Sequence, residues 1–205
     1  MDLRNLHIIL ASGSPRRLEI LRAHGIEPQV IVPRIDEGKL EASLSPLLRP
    51  QELAQQLAMH KARAVLDGIQ GKSSRPRDSL ILAADTIVYR DEVGVLGKPA
   101  DKTDAIRILR ALCDTAHEVV TGVAAIDLAT GNQSSLDDTT IVHFGEYGLP
   151  DIEEYLAAEP PFDKAGSYAI QGMWNKHVTL VEGNLENVIG LPYYRIEELL
   201  NNLAN

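Results

Sequence analysis

One cysteine, Cys113, stands in a chain of 205 residues. A lone thiol excludes an intramolecular disulfide framework and suits a reducing compartment. Positive charge is also short: 20 Lys and Arg face 29 Asp and Glu, a formal charge of −9. The long-range field therefore repels polyanions, which argues against a general nucleic-acid binder. A small phosphorylated ligand is still allowed, provided a local basic cluster or a metal ion overcomes the average field. No apolar stretch approaches a membrane span, and the run near the N-terminus is too short for a signal peptide. The expectation is a cytoplasmic protein that does not engage a membrane. Neither a repeat nor a heptad pattern is present. What remains is an ordinary globular composition, 44% hydrophobic and 24% charged. The length allows one large domain or two small lobes around a shared cleft.

The most informative stretch is 10–21, LASGSPRRLEIL. An apolar run over 6–11 predicts a strand, Gly13 permits a tight turn, Ser14 can cap a helix and Pro15 can open it. Arg16 and Arg17 then fall in the first helical turn. There the macrodipole and the unpaired N–H groups disfavour cations, by roughly 0.3–1 kcal/mol per exposed charge. A bound phosphate reverses that sign. Strand, turn, helix N-terminus and two guanidiniums together make an anion cradle. The alternative is a solvated helix in which Glu19 offsets one arginine.

Downstream, 29–32 alternates like a strand and runs into a loop holding Asp36 and Glu37. Residues 49–66 form an amphipathic helix with Leu53, Leu57 and Ala64 on one face. Lys61 lies at the border of that face, read as snorkelling to water unless a groove takes its ammonium. Residues 67–79 are rich in Gly, Ser, Pro and charge and read as a loop. Residues 80–89, LILAADTIVY, have the pattern of a strand covered on both faces. Asp85 interrupts that run, where a carboxylate is costly unless it is paired, hydrogen-bonded or coordinating a metal. A hairpin turn at Asp91 and Glu92 leads back through 93–96. A second helix covers 101–112, with Cys113 on its buried side. Strands at 118–128 and 139–144 are joined through a polar connection at 133–138. A short helix at 150–158, a strand-like piece within 163–172 ending at Gln171, a strand at 177–181 and a terminal helix through Leu203 complete the pattern. The alternation predicts a mixed α/β sheet with helices on its faces.

Six ordered motifs then stand out: Ser12-Gly13-Ser14-Pro15-Arg16-Arg17, Ala84-Asp85-Thr86, Gly97-Lys98-Pro99, His117 to Gly122 (HEVVTG), Tyr168-Ala169-Ile170-Gln171-Gly172 and Asn187 to Pro192 (NVIGLP). This set resembles the signature of the Maf family of nucleotide pyrophosphatases and covers the chain from about 10 to 200. The resemblance implies a single domain over 1–205. Its fold would be an elongated, ITPase-like mixed α/β sheet flanked by helices, with two lobes around a nucleotide-binding cleft, often as a homodimer. It also implies hydrolysis of a nucleoside triphosphate to the monophosphate and pyrophosphate with a divalent metal. Arg16, Thr86 and Gln171 are similar to the dTTP/UTP branch rather than the 7-methyl-GTP branch. Two departures, Met173-Trp174-Asn175-Lys176 and Leu185-Glu186, lie where a base would sit, so base choice is less firmly implied than reaction type.

Hydrolysis at the α-phosphorus needs charge neutralised on several oxygens and a water held in line. The resemblance gives Asp85 the proton-acceptor role. Glu37 and Asp85, with Asp36 beside them as a further candidate, would hold Mg²⁺ or Mn²⁺, hard ions that prefer oxygen ligands. Arg16, Arg17, Lys61 and Lys98 would clamp the triphosphate, with Ser14 in the cradle and Thr86 next to the base. Gln171 carries an amide that both donates and accepts, as the O4 and N3–H edge of uracil or thymine requires. His117 reads as a surface or hydrogen-bonding residue, and Trp174 as either a base-stacking or a packing group. Two other readings stay open: a nucleotide-binding regulator of septum formation with little turnover, and a pyrophosphatase for another modified base.

Overall fold

The computed structural model describes residues 3–69 and 79–204. In chain order it contains strand β1 (His7–Leu10), helix α1 (Pro15–Ala23), strand β2 (Gln29–Val30), and helices α2 (Glu37–Leu44) and α3 (Pro50–Ile69). Strands β3 (Ser79–Arg90) and β4 (Gly94–Leu96), helix α4 (Lys102–Leu112), and strands β5 (Ala116–Asp127) and β6 (Gln133–Phe144) follow. Helix α5 (Leu149–Ala158), strand β7 (Val178–Glu182) and helices α6 (Leu185–Ile189) and α7 (Ile196–Ala204) complete it. The seven strands form one mixed sheet in the order β2-β1-β3-β5-β6-β7, with β4 paired to β3. β1 runs parallel to both β2 and β3, an arrangement the chain reaches only through crossovers, which α1 and the α2–α3 pair supply. β4 returns antiparallel on β3, and β7 antiparallel on β6. The mixed α/β sheet implied by the alternation is thus present. No helix among the described residues is long and apolar enough to cross a membrane.

The chain groups into two units. The first comprises Met1–Asp85, Thr121–Asp138 and Gly190–Asn205, the second Thr86–Val120 and Thr139–Ile189.

In the first unit α3 is the organising helix. Leu53, Leu57, Lys61 and Val65 recur at intervals of four and are all buried, as are the neighbouring Ala54, Ala58 and Ala62. The alanine row lets the helix lie close against the sheet, where Ala58 and Ala62 share a cluster with Ile9, Ala11, Ile81, Ala83, Ala124 and Ile126. Small side chains at such a contact trade reach for proximity, so backbone-to-backbone distance is set by glycine and alanine.

The second unit concentrates the aromatics. Trp174 is wholly buried, its ring centroid 4.7 Å from Tyr147, 4.9 Å from Tyr155 and 4.6 Å from His177. It therefore packs, and the base-stacking alternative is set aside. His117 is buried rather than on the surface. Its Nε2 lies 2.9 Å from the Tyr168 hydroxyl, and its ring meets Phe144 edge-on. Burial pushes its pKa down from 6.5 to about 3, with His143 and Arg90 adding smaller repulsions. Within that window the unfolded chain binds a proton that the folded chain refuses. Stability is therefore highest above the unfolded value and falls as the pH drops toward the folded one. Replacing His117 by Phe is expected to flatten the dependence of melting temperature on pH between 6.5 and about 3. Equal slopes in variant and wild type would show that His117 titrates normally.

Several local expectations give way. The segment read as a loop at Asp36 and Glu37 opens α2, because Asp36 caps a helix by accepting the Lys39 N–H at 3.1 Å. β2 is two residues rather than four. The polar stretch 133–138 is part of β6, its side chains being met by partners distant in sequence. Residues 163–172 form no strand; a 3-10 turn at Ala165–Ser167 with Gly166 in the left-handed region (φ +69°) interrupts them. The helix placed at 49–66 continues to Ile69, and most of the expected loop, 70–78, lies outside the described residues. Cys113 is half-buried, exchanging Sγ contacts with the Tyr147 carbonyl at 3.3 Å and its N–H at 3.4 Å.

Candidate active site

The turn from β1 into α1 is built around Ser12. Its Oγ accepts the Ser14 N–H and the Arg17 Nη1–H, both at 3.1 Å. Ser14 sits at the N-cap, with Pro15 in the first turn, but its side chain makes no capping bond. The expected cap is thus corrected in detail: the serine two residues earlier takes up the Ser14 N–H. Arg17 turns inward and is 8% exposed, its Nε–H donating to the Gly190 carbonyl at 2.7 Å. Arg16 is half-buried in the same turn.

A guanidinium held this deep has little water around it, and burial pulls its pKa below the usual arginine value. Asp85 and Glu37 oppose that pull, while Arg16 adds to it. The two acids reach this region from different elements. Asp85 ends the run of β3 that is buried on both faces. Glu37 occupies the first position of α2, where the helix dipole favours an acid.

Between the carboxylates lies Lys61, whose Nζ is 2.5 Å from Asp85 Oδ1 and 3.0 Å from Glu37 Oε1. Lys61 is 5% exposed and Asp85 9%. The lysine does not snorkel: its place in the buried i+4 row of α3 aims the stem into the sheet, and the two carboxylates receive the charge. The acid predicted to need a partner has one, and the desolvation of each charge is offset by the other. Arg17, Lys61, Asp85 and Glu37 sum to zero, a locally neutral set in a chain of net charge −9.

The donor chemistry suits a hard divalent cation. Two carboxylates from separate elements already converge on one positive centre, the Lys61 ammonium. Magnesium sites commonly use one or two carboxylates and complete their shell with water and substrate phosphate. No group of three or more His, Cys, Asp or Glu side chains that could cage a metal occurs among the described residues. Asp36, the additional candidate ligand, is engaged elsewhere, capping α2 and pairing with Lys39 Nζ at 3.0 Å.

The other three candidates belong to the second unit. Thr86 follows Asp85 on β3 and is half-buried; Lys98 is exposed between β4 and α4. Gln171 is exposed at a turn closed by the Gly172 N–H to the Ala169 carbonyl at 3.1 Å. The Glu159 carboxylate accepts the Met173 N–H at 3.0 Å and lies so close to Gly172 that a Cβ there would collide with it. The turn presenting Gln171 is thereby fixed from behind. Sequence reasoning missed Ser12 and the Gly190 carbonyl as the groups that aim Arg17. Ser12 lay inside a quoted motif, whereas nothing local links positions 17 and 190.

A family model described as Maf-like protein matches residues 7–203. The chain belongs to the Maf-like family. Among similar Maf-like proteins, one from Acetivibrio thermocellus is 37% identical over 96% of this chain and 95% of its own length. Another, from Symbiobacterium thermophilum, is 40% identical over 94% of this chain and 92% of its own. A third, from Vibrio cholerae serotype O1, is 37% identical over 95% and 96%. Each of the three is named dTTP/UTP pyrophosphatase. A solved HAM1 protein from Coxiella burnetii aligns at 16% identity over 64% of this chain and 71% of that one, with a TM-score of 0.37, too loose a likeness to instruct.

Proposed function

We propose that this Maf-like chain hydrolyses the α–β phosphoanhydride of dTTP and UTP, giving the monophosphate and pyrophosphate. The observation that carries the reading is the set of buried Arg17, Lys61 and Asp85 joined by the half-exposed Glu37. A buried acid held by a cation, beside a fixed arginine at a helix start, is what water activation next to a polyphosphate requires.

In the reaction a water oxygen attacks the α-phosphorus in line with the bridging oxygen to the β-phosphorus. The new P–O bond forms as that bridge breaks, and pyrophosphate leaves with the bridging electron pair. Lys61 holds Asp85 through Oδ1, which leaves Oδ2 to take the proton from the water. Arg16 and Arg17 hold phosphate oxygens at the start of α1, where the helix dipole adds to their charge. Ser14 and the N–H groups of the first turn complete the cradle. Asp85 and Glu37 would hold Mg²⁺ or Mn²⁺, which supplies positive charge against the phosphate oxygens when bound. Thr86 and Gln171 would set the base. The reading extends to a cytoplasmic protein acting as one functional domain, with a small nucleotide as its partner, and to a second copy of the chain in a homodimer.

The test is direct. The purified protein is incubated with Mg²⁺ and a panel of nucleoside triphosphates, and pyrophosphate and orthophosphate are assayed separately. Pyrophosphate from dTTP and UTP ahead of the others is the expected result. Orthophosphate would move the cut to the γ-position, and binding without release would favour a regulator. The base assignment has its own prediction. Replacing Gln171 by Leu, at an exposed position, is expected to lower kcat/KM for UTP by about 10–100-fold while barely changing that for purine triphosphates, since an unpaired base edge costs about 1–3 kcal/mol. An equal fall for all nucleotides would remove Gln171 from base recognition.

A further inference from the structure

Helix α1 is gripped at both ends by one short stretch of chain. Near its start, the Arg17 Nε–H donates to the Gly190 carbonyl at 2.7 Å. At its C-cap, the His24 imidazole lies flat on the Tyr193 ring, the centroids 3.6 Å apart and the planes at 9°. The same stretch is fastened to β6. The Tyr194 hydroxyl donates to Asp138 Oδ1 at 2.8 Å, and Arg195 Nη1 donates to the Asp137 carbonyl at 3.0 Å. Leu191, between these points, is wholly buried, and Gly190 has φ +124°, a left-handed value that favours glycine. Residues 190–195 are therefore a strap from a strand of the sheet to the helix that carries the arginine pair, and every attachment lies within the first unit.

Asp138 is the unexpected part. It is 8% exposed, with Arg195 Nη1 3.8 Å from its Oδ1, and its Oδ2 has no hydrogen-bond partner among the described residues. An apolar residue would fill that place at lower desolvation cost. A buried acid holding a single hydroxyl fixes where that hydroxyl goes, and so where the strap runs.

We propose that Tyr194 and Asp138 are positioning residues for Arg17. With Nε on Gly190 and Nη1 on Ser12, two acceptors from opposite ends of the chain set the plane of the guanidinium. One of those acceptors, the Gly190 carbonyl, belongs to the strap itself. Small displacements of a group that orients substrate cost rate steeply, up to about 100-fold for 1 Å. The proposal rests on the reading of Arg17 as a phosphate ligand.

Two measurements test it: calorimetric binding of inorganic tripolyphosphate, and steady-state kinetics with UTP and GTP. Tyr194→Phe keeps the ring and removes only the hydroxyl. It is expected to weaken tripolyphosphate binding and to lower kcat/KM by about tenfold for both nucleotides. The UTP-to-GTP preference should stay as in wild type, while the melting temperature falls modestly because the buried Asp138 carboxylate loses its hydroxyl partner. Asp138→Asn, whose amide oxygen still accepts the hydroxyl, should recover most of what Asp138→Ala loses. In an Arg17→Lys background, which has no Nε–H to give Gly190, Tyr194→Phe should add nothing further. Wild-type binding in Tyr194→Phe, or additive losses in the Arg17→Lys background, would each overturn the proposal. If the wild-type protein binds tripolyphosphate but turns over no nucleotide, the proposed reaction fails alone and the calorimetric comparison still decides the strap. If it binds no tripolyphosphate, both fall.

Discussion

Asp85→Asn is expected to lower kcat for pyrophosphate release from UTP by about 10³-fold, near 4 kcal/mol of barrier, while nucleotide affinity stays within a few-fold. The amide has the shape of the carboxylate and still accepts the Lys61 ammonium through one oxygen, so the packing at the end of β3 is kept. What it cannot do is take a proton. The charge balance sharpens the contrast. Arg17, Lys61, Asp85 and Glu37 cancel in the wild type, and the substitution leaves an excess of one positive charge where a polyanion is to bind. Measured without added Mg²⁺, affinity should hold or rise as turnover collapses. Alanine would confuse the result, because it would strand the Lys61 ammonium, 5% exposed, beside a single carboxylate. Pyrophosphate assay and calorimetry on the same preparation read the two quantities separately. A variant with wild-type kcat removes Asp85 as the base, and one with intact kcat but lost affinity recasts it as a binding group.

How much of this site could be read from the chain differs residue by residue. Asp85 was legible because a single acid in ten largely apolar residues violates the burial rule, and the violation has few physical resolutions. Lys61 was half legible. Its spacing from Leu57 and Val65 places it in the buried row, but which acids would receive the ammonium depends on the pairing of β3 beside α3 and on the start of α2. Glu37 reads as part of a loop because it follows the 29–32 strand as one of two adjacent acids, which are ordinarily solvated. The signal that could have corrected this was Asp36 three residues before Lys39, an N-cap spacing. The acids of β6 made the opposite error. Asp137 and Asp138 gave 133–138 the look of a connection, yet Gln55 Nε2 donates to Asp137 Oδ1 at 2.6 Å and Tyr194 to Asp138. Polar strand residues satisfied from far away carry no local mark. The same holds for the Gly190 carbonyl that aims Arg17. Strand alternation and helical periodicity report on neighbours along the chain, and these contacts have none.

Gly122→Ala should cost several kcal/mol, a large share of the roughly 5–15 kcal/mol by which domains are stable. The residue lies in β5 and shows no left-handed φ, so its backbone does not demand glycine. The requirement comes from what faces it. A Cβ at this position would overlap the carbonyl carbon and oxygen of Ala54 and the amide nitrogen of Gln55, backbone atoms of α3. A flexible side chain could move aside; a helix backbone can only shift as a body. Overpacking by one methyl ordinarily costs about 1–3 kcal/mol, and the cost rises where the neighbour cannot relax. Here the neighbour also bears Lys61, two turns further along, so any displacement that accommodates the methyl moves the ammonium relative to Asp85. Urea unfolding should therefore show a lower midpoint, and the fraction that folds should release pyrophosphate more slowly than its concentration predicts. A variant that unfolds with the wild-type midpoint would mean that α3 does not lie this close to β5, and the placement of Lys61 between the two carboxylates would lose its support.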